Sequence, residues 1–140
     1  MKPGPVALVL ALSALTLAGC SSPAVSIATE SHAGTPDGFD STSNLLNGRP
    51  GAAWIGGRDA FAIVTYGSTN CAPIPTKLEA TDESTILVTF VKAENGGCSA
   101  SRGATTNEFD VPDGIVDDGP VTIDVLFDFG QDYEYSVTLR

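Results

Sequence analysis

VTIDVLFDFGQDYEYSVTL, residues 121–139, decides the fold of this chain. In its first half Val121, Ile123, Val125, Phe127 and Phe129 alternate with Thr122, Asp124 and Asp128. In its second half Tyr133, Tyr135, Val137 and Leu139 alternate with Glu134, Ser136 and Thr138. Successive side chains of a strand point to opposite faces, so a period of two marks a strand with one buried and one wet face. Gly130-Gln131-Asp132 between the halves marks a hairpin. A two-residue loop on Gly130-Gln131 suits a type II′ turn, but it would set Phe127 against Glu134 and break the apolar face. Keeping Phe127 beside Tyr135 needs an odd loop or a bulge. The face pattern involves nine residues and the turn only two, so the odd loop is expected. Asp128 and Glu134 are expected to face each other across this hairpin, a like-charged pair.

Working back from this hairpin, five more runs rich in Val, Ile, Thr, Phe and Tyr are separated by turn clusters. They are Ala52–Gly56, Asp59–Tyr66, Thr76–Thr81, Thr85–Lys92 and Thr105–Val111. With Val121–Phe129 and Tyr133–Leu139 they predict an all-β domain over residues 48–140, an antiparallel β-sandwich of six to seven strands. Phe61-Ala62-Ile63-Val64 and Ile86-Leu87-Val88 are apolar on both faces, which predicts central strands whose second face is covered.

The N-terminus reads differently. Lys2 precedes an apolar run of 12 residues, Val6 to Leu17. As a helix it would span roughly 18 Å, well short of a bilayer core of about 30 Å, so residues 1–19 read as a signal peptide. Leu17-Ala18-Gly19-Cys20 then looks like a bacterial lipobox, in which the cysteine thiol carries a diacylglycerol and cleavage falls just before it. Three cysteines are odd for a secreted chain, and lipidating Cys20 leaves an even pair. No cofactor is expected beyond that covalent lipid, and the expected location is the extracytoplasmic face of the cell membrane. Two acyl chains give stable anchoring where one does not.

Residues 20–47 are rich in Ser, Thr, Pro, Gly and Asp and carry no sustained period. They read as a lipidated N-terminus followed by a flexible tether, with the only histidine, His32, inside it. From Cys20 onward six Lys and Arg stand against 17 Asp and Glu, a formal charge of −11. Binding phosphate needs clustered Lys and Arg, so nucleic acid is excluded as a partner. The expected partners are the membrane, through the lipid, and an unidentified protein or envelope ligand.

Cys71 follows one apolar strand and Cys98 another. If Thr76–Thr81 runs back between them, both lie at the same end of the sandwich. A disulfide is then reasonable and is expected outside the cytoplasm. The alternative, a redox or metal pair, lacks a C-x-x-C and a nearby histidine.

Trp54, Val64, Tyr66, Gly67, Ser68 and Cys71, with the second cysteine Cys98 and a late VPDG, form a pattern W…VxYGSxxC…C. The chain resembles a group of small uncharacterised actinobacterial lipoproteins that share a lipobox, a polar tether and this pattern. The resemblance spans most of residues 48–140. It implies paired Cys71 and Cys98 and a surface location, and it imports no activity.

Chemistry is sparse in this reading. Without a histidine in residues 48–140, Ser-His-Asp and Cys-His machinery and histidine-ligated metals are missing. Ser68 has no candidate base and reads as a turn serine. Paired carboxylates leave a small hydrolase open as an alternative, but short connections offer little cleft. The acidic run Asp110, Asp113, Asp117 and Asp118 around Gly114 is a candidate Ca²⁺ loop, although its spacing is not that of an EF-hand. Exposure without tight Ca²⁺ binding is expected. Trp54, Phe61 and Tyr66 are candidates for a sugar-stacking platform, against a reading as core. The expected function is a binding or interaction module at the cell envelope rather than an enzyme, with Ca²⁺ or carbohydrate binding as the alternative.

Replacing Cys20 with Ala is expected to abolish lipid labelling and to release the protein from membranes. Detergent partitioning of the variant checks this, and unchanged retention would refute the anchor.

Overall fold

The computed structural model describes Met1 and residues 22–40, 47–94, 96–116 and 118–139. Cys20, with most of the signal segment, and Asp117 lie outside the described residues. Eight strands are present: β1 Glu30–Ala33, β2 Gly51–Ile55, β3 Ala60–Ser68, β4 Ile74–Asp82, β5 Thr85–Val91, β6 Arg102–Asp110, β7 Val121–Asp128 and β8 Asp132–Leu139. They form two four-stranded sheets, ordered β1-β6-β3-β2 and β4-β5-β7-β8.

The sheets pack face to face because each carries one apolar face. Phe61 and Ile63 on β3 and Phe109 on β6 meet Ile86, Val88 and Phe90 on β5 and Val121, Ile123, Val125 and Phe127 on β7. The rings interlock in offset pairs, Phe61 with Phe109 at 5.4 Å and Phe90 with Phe127 at 5.5 Å between centroids. The doubly apolar runs do lie centrally, β3 between β6 and β2, and β5 between β4 and β7. On β3 even the outward Ala62 and Val64 are fully buried. The segment after β1 crosses that outer face, where the Gly34 carbonyl accepts from Thr106 Oγ1, opposite Val64. On β5 the outward Leu87 is only half-buried.

The sandwich is not antiparallel throughout. β5 and β7 run parallel, Ile86 beside Ile123 and Phe90 beside Phe127. Parallel neighbours need a crossover, and here the crossover is β6, which lies in the opposite sheet. Alternation reports which face a strand buries and not its direction, so the sequence pattern could not distinguish the two arrangements.

The hairpin of β7 and β8 keeps its apolar face through an odd loop. Asp128 pairs with Asp132, leaving Phe129, Gly130 and Gln131 in the loop. Gly130 takes φ +84°, a conformation that L side chains rarely adopt. Phe127 pairs with Tyr133, and Tyr135, diagonally placed, comes within 6.0 Å of the Phe127 ring. The expected opposition of Asp128 and Glu134 is corrected by this register, since Glu134 sits across from Leu126. Phe129, read as the last buried residue of its strand, is instead in the loop and exposed.

The expected tether over residues 20–47 is corrected over part of its length. Glu30–Ala33 is an edge strand paired to β6, with Ser31 opposite Asn107 and His32 opposite Thr106. Just before it, Ile27 N donates to Pro75 O and Thr29 N to Glu108 O, so this segment bridges β4 and β6. Backbone bonds and small polar contacts hold it, among them Ser31 Oγ to Asn107 Oδ1 at 2.9 Å. Ala28 is the one described residue of this segment that packs on the apolar core, and a single residue sets no period, which is why periodicity did not reveal the strand.

Phe61 is fully buried and stacked. Phe61→Ala is expected to cost about 3–5 kcal/mol by lost burial plus a cavity. Denaturant unfolding measures this, and a loss below about 1 kcal/mol would place the core elsewhere.

Candidate functional site

Among the described residues the structure separates the disulfide from the acidic run, with Tyr66 beside the first and Trp54 beside the second. Cys71 and Cys98 are joined at 2.05 Å, with Cα atoms 5.4 Å apart. The bond links the turn after β3 to the segment before β6. Around it Ser68 Oγ donates to Asn70 Oδ1 at 2.8 Å, and Ser99 N donates to the same oxygen at 2.7 Å. Ser68 is thus part of a hydroxyl and amide network that fastens the two disulfide-bearing segments together.

Three of the four acids of the acidic run lie among the described residues. Asp110 closes β6, while Asp113 and Asp118 lie in the following turns, and all three are exposed. Ile115 packs on the core but Val116 faces solvent, so only one of the two apolar residues between the acids turns inward. Among the described residues no three His, Cys, Asp or Glu side chains are placed to hold a metal ion.

The aromatic candidates divide. Phe61 is core, and Trp54 packs against the core with Arg58 stacked on its ring at 4.9 Å. Arg58 also donates to the Gly119 carbonyl. Tyr66 lies at the disulfide end, where β3 extends beyond β2. There a hollow of about 530 Å³ is lined by Tyr66, Pro73, Lys92, Phe129, Tyr133 and the disulfide. Tyr133 is 50% exposed and Phe129 40%. The Tyr66 hydroxyl is buried without a hydrogen-bond partner among the described residues. Burial first, and the charge of Asp40 second, push its pKa up.

A groove of about 870 Å³ lies alongside β2. One wall is the segment 35–40 that follows β1, and the other is β2 itself, whose five residues all line it. β2 pairs with β3 on one side only. Among the described residues no backbone bond other than this ladder engages Gly51–Ile55. Toward the described residues its other edge, a row of backbone donors and acceptors, is therefore open. His32, Asp37, Asp40 and Glu108 bring charge to the groove, and Val137 of β8 adds an apolar patch.

The reading that the folded region holds no histidine is corrected here, because β1 carries His32 into the sheet. Its Nδ1 lies 3.2 Å from the Ala33 carbonyl and its Nε2 3.5 Å from Glu108 Oε1. The bond to the Ala33 carbonyl raises its pKa most, desolvation opposes this, and Glu108 raises it further. These contacts orient and charge the ring. They supply an ion pair on the outer face of the sheet, since the ring's two partners are a carbonyl and a carboxylate rather than a nucleophile. No family model, curated protein or solved structure matches this chain. The reading of the site therefore rests on its geometry.

Two parts of this site were missed from sequence for different reasons. His32 gave no signal, because β1 has no apolar alternation. β2 did give one: GAAWI has no charge and no proline, the devices that usually protect an edge strand.

A folded-state pKa above the ordinary 6.5 means His32 stabilises the fold fully below about pH 6.5. That contribution is lost as pH rises through the folded value. NMR titration of the His32 ring is expected to give a midpoint above 6.5 that falls in Glu108→Gln without returning fully, because the Ala33 carbonyl remains. A midpoint at or below 6.5 would refute the pairing.

Proposed function

We propose that this chain is a lipid-anchored, extracytoplasmic binding module of the cell envelope. The observation that carries the binding part is the open β2 edge along a groove of about 870 Å³. The location rests on LAGC after the apolar run and on a disulfide that suits an oxidising compartment. The resemblance to small actinobacterial lipoproteins points the same way.

The short leash refines this picture. Ile27 is already hydrogen-bonded to β4. With the lipid on Cys20, only six residues, 21–26, separate anchor from domain. Fully extended they reach about 20 Å, and as a coil about 13 Å. The domain is therefore held near the bilayer, while its strong negative charge discourages it from lying flat on anionic lipid.

A second reading, carbohydrate binding, is favoured by one observation: Phe129 and Tyr133 are exposed beside Tyr66 and Gln131. Such rings offer stacking faces with polar neighbours. Tyr133→Ala would abolish binding to a polysaccharide column under this reading and leave it unchanged under the first.

Lys77 and Lys92 are both exposed. A membrane-impermeant amine reagent is expected to label them in intact spheroplasts. A chain that is labelled only after lysis would overturn the location.

A further inference from the structure

We propose that the free edge of β2 docks an extended basic segment of another protein, which adds to the sheet as a fifth strand beside Gly51–Ile55. The proposal deepens the binding-module reading and rests on it.

Three observations select this occupant. The first is the edge itself. Its outward backbone groups bond to no other backbone among the described residues, and they line a groove rather than a flat wall. An added strand satisfies such groups through main-chain hydrogen bonds. The second is size. Gly51, Ala52 and Ala53 have little or no side chain to hold another backbone away, and five residues of strand span about 17 Å. An extended peptide of about five residues fills that length.

The third is charge. Asp37, Asp40 and Glu108 line the groove, and His32 is the one lining residue among those described that can be cationic. Glu30 lies opposite Glu108 in the β1–β6 register, extending the acidic surface. In a strand of alternating Lys and Val, one face would set ammonium groups toward these carboxylates. The other would set methyl groups toward Val137 and the Trp54 side of the groove. A second copy of this chain is the natural competitor for any open edge. Pairing two β2 edges would bring two acidic grooves together on chains of charge −11 from Cys20 onward, which disfavours it.

The test uses the exported protein purified in detergent, so that binding is read independently of cellular location. The probes are a blocked Lys-Val-Lys-Val-Lys peptide, its Glu counterpart, and two versions of the Lys peptide N-methylated at odd or at even positions. Calorimetry is expected to show the Lys peptide binding at least tenfold tighter than the Glu peptide. One N-methylated version is expected to lose at least tenfold and the other little, because only alternate residues of an added strand bond to the edge. Asp37→Lys is expected to reduce the preference for Lys over Glu at least tenfold. Hydrogen exchange is expected to slow at outward β2 amides on binding. Equal binding of all Lys peptides would reduce the site to bulk charge attraction and overturn the proposal, as would no binding at millimolar peptide. A free protein already dimeric, with β2 amides protected, would assign the edge to a second copy and overturn it too. None of these outcomes alters the spheroplast labelling, so failure here and failure of the location are separate results.

Discussion

The nine-residue ladder between β3 and β6 is the pairing on which the other elements depend. It runs from Ala60 beside Asp110 to Ser68 beside Arg102. One face of it supplies Phe61, Ile63 and Phe109 to the core. Among the described residues β1 pairs only with β6 and β2 only with β3, so both edges of this sheet hang from the same ladder. The disulfide fastens the turn after β3 to the approach to β6, at the end where the ladder closes. Gly103 is part of that closure: a Cβ there would meet Thr69 Cγ2 at 2.8 Å. The ladder can be this tight because one strand gives up its side chain where the disulfide-bearing turn presses on it.

The same arrangement creates the open groove. β2 covers only the first five residues of β3, from Ala60 to Val64. Beyond that point no described strand pairs with β3 on this side, and the aromatic hollow around Tyr66 lies there. Two surfaces of different chemistry thus follow from one inequality of strand length. Along β2 the surface is backbone and carboxylate. Past the end of β2 it is aromatic and lies against the disulfide.

The amount legible in sequence followed the physical origin of each element. Where side-chain burial drives a strand, alternation was sufficient: the seven strands expected from Val, Ile, Phe and Tyr spacing all occur, with ends within three residues. The odd loop of the last hairpin was legible for the same reason, because burying Val121 to Phe127 and Leu139 together admits few registers. Where backbone pairing and small polar groups do the work, nothing periodic was available. β1 is held through Ser31, Thr106 and Gly34, and its histidine was assigned to a tether. The parallel pairing of β5 and β7 was likewise hidden, since Ile86 and Ile123 would be inward in either direction. The site suffered most, because its two walls are an unrecognised segment and a strand whose importance lies in an unpaired edge.

The placement of β1 has a consequence for the order of assembly. It lies near the N-terminus, yet Thr106, to which Gly34 is bonded, is 72 residues further along the chain. A chain that emerges N-terminus first at about 5–20 residues per second presents β1 several seconds before β6 exists to receive it. Closing so long a loop is an entropic cost that only the finished ladder offsets. The first of the eight described strands is thus the one whose docking must wait for the sixth. Through that interval the edge of β6 that receives β1 stays complementary to the same strand of any neighbouring copy.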